Sequence, residues 1–380
     1  MTHDSFGYIL KDGKKLRLGY TTGACAAAAA KAAALMLLSG KRVDSVCVTT
    51  PKGRVLELEI RDISFGRGCV SCAVEKDAGD DPDVTDGVLV FAEVSRSSAS
   101  DVVIDGGVGV GRVTKAGLDQ PVGAAAINSV PRRMIEAGAD EARAACGYSG
   151  GLRVVISVPV GEALAQRTFN PRLGIVGGIS ILGSTGIVEP MSEQALIDTI
   201  SAELSQRRAG GAQYALLTPG SYGADFIENN LPICADRAVM ISNFVGDAVD
   251  ICRERGFRGA LLVGHIGKLV KIAGGMFNTH SKYGDCRMEL IAAHAAACGL
   301  PRSAAAEILQ CPTCDEALRI VDESGLLQPT LERLLAAVQE QLARRADGME
   351  TGVIVFSRKT GLLCQTGSVP ALIEHIREEG

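Results

Sequence analysis

The chain is an acidic, aliphatic protein of 380 residues. Its 39 Lys and Arg stand against 44 Asp and Glu, and the resulting net charge of −5 excludes a protein that coats nucleic acid. Hydrophobic residues make up 47% and charged residues 22%, so the chain can bury a sizeable core and is not expected to be disordered. Aromatic residues reach only 4%, with no Trp, which argues against a base-stacking surface.

The sequence also argues against a membrane segment. The longest apolar run, 24–38, is interrupted by Lys31 and falls short of the roughly 18 residues of a membrane span. The segment Met1 to Lys15 is polar and lacks the apolar core of a signal peptide. We therefore expect a cytoplasmic protein without a membrane or nucleic-acid partner. The sequence leaves room for a homo-oligomer.

Cysteine usage points to reduced thiols. The 12 Cys are too sparse in a chain of this length for a disulfide scaffold. The pairs Cys69/Cys72 and Cys311/Cys314 lie far apart and lack the spacing of a zinc ribbon, so no protein-bound metal is expected.

Residues 1–150 are predicted to form an α+β domain. Thr21 and Thr22 are hydroxyl residues placed to cap a helix over 24–38. Two Val-rich stretches follow, 43–49 and 54–60, and the turn residues Pro51 to Gly53 between them predict a hairpin. Further strands are predicted at 68–75, 87–95 and 101–105, and a helix at 121–138.

Residues 151–300 are predicted to form a doubly wound, mostly parallel α/β domain, because continuous apolar runs alternate with helical segments. The predicted strands are 152–158, 173–182, 213–218, 237–242 and 259–264, and the helices between them 192–209, 221–230 and 244–255. Residues 301–380 are expected to form a helical and strand extension that packs on one of the two domains, with helices at 302–320, 327–346 and 370–378 and a strand at 350–356.

Small polar residues and glycines follow four of the predicted strands. These loops are 183–186, 218–221, 242–247 and 264–268. Ligands of open parallel sheets bind outside the carboxyl ends of the strands, so the four loops predict a ligand crevice. His265 and His280 are candidates to face it. The spacing at 264–268 does not match a Walker phosphate loop.

An acidic loop supports an alternative hypothesis about the function. Residues 76–87 gather five aspartates, at 77, 80, 81, 83 and 86. Such a segment is either a solvated turn or a site for a hard cation, although its spacing does not match a calcium loop. One alternative is therefore a phosphoryl-transfer enzyme that uses this loop for magnesium and the glycine loops for phosphate.

Several segments resemble the CbiD family, the cobalt-precorrin-5B C1-methyltransferases of anaerobic cobalamin biosynthesis. The matching segments are 19–28, 76–85, 109–115, 126–128, 168–188, and 264–268 on to His280. The resemblance implies an S-adenosylmethionine-dependent C-methyltransferase that acts at C1 of cobalt-precorrin-5B and gives cobalt-precorrin-6A. It also implies that cobalt enters only within the substrate. With the tetrapyrrole ligand that the resemblance implies, a non-catalytic carrier of this anionic tetrapyrrole is the second alternative.

The activity implied by the resemblance suggests roles for individual residues. We expect the donor to be held by Gly177, Gly178, Gly183, Ser184, Thr185 and Gly186, with Asp247 or Glu189 on its ribose. The acceptor, which bears several carboxylates, is expected to meet Thr21, Thr22, Lys115, Asn170, Arg172, Lys268, Lys271 and His280. His265 is the candidate base for any proton lost after methylation.

Overall fold

The structure is a computed structural model that describes residues 7–11 and 13–379. Residues 1–6, 12 and 380 lie outside this description. They include part of the polar segment Met1 to Lys15 and of the predicted first domain. The chain forms two compact units, which divide between Glu193 and Gln194. This division replaces the expected boundary at 150/151. It also places residues 301–379 within the second unit and not in a separate extension.

Within residues 7–11 and 13–193, the first unit combines one five-stranded sheet with smaller strand pairs and four helices. Its strands are β1 (Tyr8–Lys11), β2 (Lys14–Arg17), β3 (Gly19–Tyr20), β4 (Ser45–Thr49), β5 (Val55–Glu59), β6 (Arg61–Phe65), β7 (Cys69–Glu75), β8 (Leu89–Ser97), β9 (Val102–Gly106), β10 (Gly109–Val110), β11 (Arg112–Val113), β12 (Gly151–Ser157), β13 (Ile175–Val176), β14 (Gly178–Ile179) and β15 (Ile187–Val188). Its helices are α1 (Thr22–Ser39), α2 (Ser129–Ala145), α3 (Gly161–Ala165) and α4 (Asn170–Leu173). The large sheet has the order β6-β7-β8-β12-β9.

Helix α1 is the centre of this unit. Its alanines from 24 to 34 are at most 1% exposed, and they pack between the sheet and α2. Alanine combines high helix propensity with a small side chain, so α2 can approach until Gly138 faces the backbone of Ala27. By length and composition α1 would suffice to cross a membrane, but 72% of it is buried inside the protein, as in a core helix. The predicted β4–β5 hairpin is confirmed and buries Val46, Val48, Leu56 and Leu58.

Three predictions for the first unit need correction. The helix expected from 121 begins only at Ser129, because Asp119 accepts hydrogen bonds from the Ser129 backbone and hydroxyl and 121–128 forms turns and single bridges. The strand near 152–158 pairs with β8 and β9 of the first sheet, not with a parallel sheet. The long strand expected at 173–182 is instead the end of α4 followed by two-residue strands that pair with β10 and β11.

The second unit contains a mostly parallel sheet. Its strands are β16 (Tyr214–Thr218), β17 (Ala238–Met240), β18 (Gly259–His265), β19 (Glu350–Ser357) and β20 (Gly361–Gln365). Its helices are α5 (Glu193–Ala209), α6 (Ser221–Asn230), α7 (Val245–Glu254), α8 (Ile266–Ala273), α9 (Arg287–Ala297), α10 (Arg302–Ile308), α11 (Cys314–Glu323), α12 (Leu327–Ala346) and α13 (Val369–Glu378), with short 3-10 turns at Ala235–Arg237 and Ser281–Tyr283.

The order of this sheet is β17-β16-β18-β19-β20, and only β20 runs antiparallel. Helices α6 and α13 cover one face through residues such as Phe226 and Leu372, and the other helices pack against the opposite face. A mostly parallel sheet covered on both faces is therefore present, as predicted, but it consists of β16 to β19. Strand β19 is an inner strand of this sheet and not part of an appendage. The helix expected at 302–320 is broken at Pro312, after which Thr313 caps α11.

Candidate functional site

The carboxyl ends of β16, β17 and β18 share one edge of the second sheet. Taken in chain order within the unit, the four parallel strands lie as 2-1-3-4, so the connections leaving β16 and β18 diverge. A crevice opens at such a switch point, outside the strand ends. The loops after β16 and β18, which begin at Thr218 and His265, therefore flank the place where a ligand of this sheet is expected.

Lys268 ties the loops of this edge together. From the first turn of α8 its Nζ donates hydrogen bonds to the carbonyl oxygen of Pro219, after β16, and at 3.3 Å to that of Ser242, after β17. Burial, and secondarily the charge of Lys271, lower the pKa of the Lys268 amine. The amine thus fixes the relative positions of the loops after β16, β17 and β18 at the switch point.

The glycines of this edge fall into two groups. A Cβ on Gly223 would lie 1.7 Å from the Thr218 hydroxyl, and a Cβ on Gly264 would meet Leu269 at 2.9 Å, so both glycines serve chain packing. A Cβ on Gly220 would instead meet only Lys268 Nζ, at 3.9 Å, and the nearest atom to one on Gly267 is His265 Nδ1, at 3.2 Å. Gly220 therefore leaves open space at the switch point, whereas a methyl group on Gly267 would press on the His265 ring.

His265 is the N-cap of α8. Its Nδ1 accepts a hydrogen bond from the Gly267 backbone at 3.1 Å, and its ring meets Phe356 edge-on with centroids 5.7 Å apart. Burial lowers the pKa of His265, and the nearby Asp315 opposes that shift. With Nδ1 occupied as an acceptor, the neutral ring carries its proton on Nε2. In this arrangement His265 offers a ligand a hydrogen-bond donor; the base role predicted for it would require the cap to break.

Lys271 and His280 shape a neighbouring segment. Lys271 is 3% exposed, and its Nζ donates to the carbonyl oxygens of Thr279 and Gly284 at 3.2 and 3.1 Å. His280 Nδ1 accepts from the Lys282 backbone at 3.1 Å. Both side chains thus hold the 279–284 segment in place. Asp247, in the first turn of α7, is half-buried and has no hydrogen-bond or ion-pair partner within the part of the chain that is described.

The predicted donor loop 183–186 lies in the first unit, against the N-terminus of α1. A Cβ on Gly183 would lie 2.5 Å from the Thr21 side chain, and one on Gly186 would lie 2.9 Å from that of Thr50. The Thr21 hydroxyl caps the Ala24 backbone at 3.2 Å, and the Thr22 hydroxyl accepts from Leu182 N at 3.0 Å. Thr185 accepts from the Ile187 backbone at 3.2 Å. The two hydroxyls predicted to bind acceptor are therefore engaged within the protein, that of Thr21 with α1 and that of Thr22 with Leu182.

The backbone around Gly178 is closely packed. A Cβ on Gly178 would lie 2.1 Å from the Gly109 carbonyl oxygen, because β14 and β10 pair closely there. Asn170 is 7% exposed, donates to Gly178 O at 3.1 Å and accepts from the Ser180 hydroxyl at 3.2 Å. Chain packing thus accounts for Gly178 and Asn170.

Three other predicted site residues lie at the surface of this region. Lys115, Arg172 and Gly177 are exposed, and a Cβ on Gly174 would press against the Lys115 side chain. Glu189 also lies in the first unit and forms an ion pair with Lys52. These residues belong to the first unit, and His265 and Lys268 belong to the second.

The acidic loop is engaged with the protein itself. Asp77 pairs with the Arg17 guanidinium, Asp80 accepts from the Arg17 backbone, and Asp86 accepts from the Ala78 backbone. Asp81 accepts from the Met191 backbone. Within residues 7–11 and 13–379, no group of three or more His, Cys, Asp or Glu is arranged to hold a metal ion.

The fifth aspartate of the loop forms a buried ion pair. Asp83 lies 2.7 Å from the amine of Lys76, which is only 2% exposed. Burial alone would raise the pKa of Asp83, but Lys76 and Thr85 hold it below its usual value. These carboxylates act as structural ties, so the arrangement lends no support to a magnesium loop.

Sequence reasoning missed a cation at the same edge. Arg358 directly follows β19, and its guanidinium lies 4.3 Å from the centre of the Tyr222 ring, in the first turn of α6. Its charge also contributes to the lowered pKa of His265, after the larger effect of burial. The apolar run at 350–356 is the sequence signal that precedes Arg358, but only the parallel pairing of β19 with β18 brings Arg358 to this edge.

These features define the second unit as a mostly parallel α/β domain with a strand switch point, which is the position at which such domains bind ligands. Sequence comparison then gives the family. The profile of the CbiD family matches residues 9–190, which ends close to the boundary of the first unit, and that of "CbiD, C-terminal domain" matches residues 278–367.

Individual relatives extend these matches over most of the chain. A protein of Ruminiclostridium cellulolyticum is 49% identical over 90% of this chain and 88% of its own length, and one of Alkaliphilus metalliredigens is 45% identical over 98% of each; both are named cobalt-precorrin-5B C(1)-methyltransferase. A crystal structure of the cobalamin biosynthesis protein cbiD from Archaeoglobus fulgidus is 30% identical, with a TM-score of 0.40, over 74% of this chain and 87% of that one. The chain belongs to the CbiD family.

Proposed function

We propose that the chain is a methyltransferase that moves a methyl group from S-adenosylmethionine to C1 of cobalt-precorrin-5B, giving cobalt-precorrin-6A. The observation that carries this proposal is the 49% identity to a protein of that name over 90% of the chain. Proteins that share so much sequence over nearly their full length are expected to share the chemistry of their sites.

We place the donor at the switch point between β16 and β18. Gly220 leaves open space there, and the Asp247 carboxylate, which has no partner among the described residues, is available at the same edge for ribose hydroxyls. A donor site at 177–186 is less favourable, because chain packing explains Gly178, Gly183 and Gly186.

The reaction requires the protein to align the methyl donor with the acceptor carbon, and it requires no nucleophilic side chain. Bound S-adenosylmethionine supplies an activated methyl group, which moves in line to the acceptor carbon while the C–S electron pair returns to sulfur. The protein must hold the reacting atoms about 3 to 3.5 Å apart and exclude water. Lys268 serves this end by fixing the loops after β16 and β17, and His265 by presenting Nε2–H from the cap of α8.

Mass spectrometry tests the proposal directly. The protein is incubated with cobalt-precorrin-5B and S-adenosylmethionine that carries a ¹³C-labelled methyl group. We expect the tetrapyrrole to gain one labelled methyl. Binding of the tetrapyrrole without any gain would favour the carrier function, and binding of ATP but not of S-adenosylmethionine would favour phosphoryl transfer.

A further inference from the structure

The first unit contains a cavity that neither the fold nor the proposed chemistry explains. It has a volume of about 310 Å³ and lies between α1, α2 and the β4–β5 hairpin. Ala27 of α1 lines it, with Val48 on the hairpin side and Met134 and Ala137 on the α2 side, and Ser184 also contributes to the lining. We call it the α1–α2 groove.

Small side chains keep this groove open. Ala27 and Ala137 each contribute a single methyl group, and Gly138 none, so that the space is not filled by the protein. Since one water occupies about 30 Å³ of liquid, the groove has room for roughly ten waters, or for several heavy atoms of an organic group. It is far too small for a whole tetrapyrrole, and it suits one side arm.

The charge of the groove is positive. Arg133 lines it and is exposed, and within the described part of the chain its guanidinium has no hydrogen bond or ion pair. The charge of Arg133 contributes to the lowered pKa of Asp119, but the Asp119 carboxylate accepts its hydrogen bonds from Ser129 and Gln120 and not from Arg133. Glu141, the acid of the lining, is neutralised by an ion pair with Lys31.

Lys31 also fixes the groove at the Glu141 side. Its Nζ donates to Glu141 and, at 2.7 Å, to the carbonyl oxygen of Cys47, so one lysine of α1 joins α2 to strand β4. Ser184, in the lining, has a hydroxyl with no hydrogen-bond partner among the described residues. A ligand that enters the groove thus meets apolar walls, an unpaired guanidinium and an unused hydroxyl.

We infer that the α1–α2 groove binds one carboxylate side arm of the tetrapyrrole acceptor, with the methylenes against the apolar walls and the carboxylate on Arg133. A guanidinium pairs with a carboxylate through two parallel charge-assisted hydrogen bonds, which fixes direction as well as affinity. The inference deepens the proposed function and rests on it. It assigns Arg133 and Ser184 to acceptor recognition and makes the groove a determinant of which carboxylated ring is accepted.

Steady-state kinetics of four variants test this inference. Arg133→Gln removes the charge, Arg133→Lys keeps it without the planar fork, and Ala137→Leu fills the groove from an exposed helix position. Arg67→Gln is the matched control, because Arg67 is an exposed arginine in the turn between β6 and β7. Circular dichroism and the midpoint of thermal unfolding show that each variant is folded.

We expect Arg133→Gln to raise the KM for cobalt-precorrin-5B about tenfold, because a charge-assisted pair is lost. Ala137→Leu should raise the same KM, Arg133→Lys should restore part of the affinity, and Arg67→Gln should match the wild type. The Kd for S-adenosylmethionine should stay within twofold in all four. The inference is overturned if Arg133→Gln and Ala137→Leu leave the acceptor KM unchanged, or if they weaken the donor as much as the acceptor.

Failure of the proposed function is recognised separately. If the wild type transfers no methyl group, titration of the protein with the coloured cobalt tetrapyrrole, followed by visible absorbance, still compares the wild type with Arg133→Gln. Tighter binding by the wild type would support the groove without methyl transfer. Equal binding by both would reject the groove.

Discussion

The glycine-rich loops of the two units look alike in sequence and differ in what surrounds them. In the first unit a Cβ on Gly109 would lie 1.8 Å from the Val158 carbonyl oxygen, and one on Gly178 would lie 2.1 Å from that of Gly109. In the second unit Gly220 and Gly267 face space that no backbone fills. The comparison teaches that glycine content alone cannot separate a loop packed on its own chain from a loop that leaves room for a ligand.

The largest effect is expected at Gly109. Its φ of 71° is the left-handed backbone region, and an added methyl group would collide with the Val158 backbone. Gly109→Ala should therefore cost more than about 4 kcal/mol of unfolding free energy. Chemical denaturation followed by circular dichroism measures it, with Gly53→Ala in the exposed β4–β5 turn as a control that shares a positive φ but has open space. Equal losses in both variants would contradict the packing account.

The next effect is expected at Lys268. Lys268→Met leaves the Pro219 and Ser242 carbonyl groups without their shared donor, which costs about 1 to 3 kcal/mol of stability. Because the loops of the crevice lose their tie, we also expect the Kd for S-adenosylmethionine to rise about tenfold, or about 1.4 kcal/mol. Calorimetric titration measures it, and Lys41→Met, at an exposed lysine, serves as the control. A change in acceptor KM alone would return Lys268 to the acceptor-binding role that the sequence suggested.

A smaller effect is expected at Gly267. In Gly267→Ala the methyl group enters the crevice and needs only a slight shift of the His265 ring. The change in unfolding free energy should stay within about 1 kcal/mol, since alanine favours the helix that glycine disfavours. Donor affinity should fall several-fold in the same calorimetric titration. Unchanged affinity would place the donor elsewhere and remove the contrast between the two units.

The smallest effect is a pH dependence at His265. Burial lowers the pKa of the folded-state ring below its unfolded value of about 6.5, so the stability it contributes is complete above that pH and is lost as the pH falls toward the lowered pKa. His265→Asn keeps a capping side chain that does not titrate.

Thermal unfolding between pH 7.5 and 5 compares this variant with the wild type. The midpoint of the wild type should fall more steeply over this range than that of His265→Asn. His294, whose pKa burial also lowers, is present in both proteins and cancels in the difference. Parallel curves would show that folding does not lower the pKa of His265.

Local chemistry made much of this fold predictable. Thr21 before an alanine run gave the start of α1, and Pro51 to Gly53 gave the hairpin turn. Continuous apolar runs gave β16 and β18. In each case the signal lies within a few residues of the element it specifies.

Pairing between distant segments was not predictable in the same way. The run 173–182 is apolar enough for a buried strand, but Gly177 adopts a φ of 84° and its neighbours pair with β10 and β11. The sequence pattern of β12 is compatible with a buried strand of either sheet. Only its pairing with β8 and β9 assigns it to the first unit. The candidate site shares this limit, because the role of a glycine such as Gly183 depends on Thr21, far away in the sequence.

The location of the donor tests the central claim most directly. A crystal structure of the protein with S-adenosylhomocysteine would show it. We predict the nucleoside between Gly220 and Gly267, with its ribose near Asp247. Density for the nucleoside against Gly183 to Gly186 in the first unit would contradict the account and return the site to the loop that the sequence first indicated.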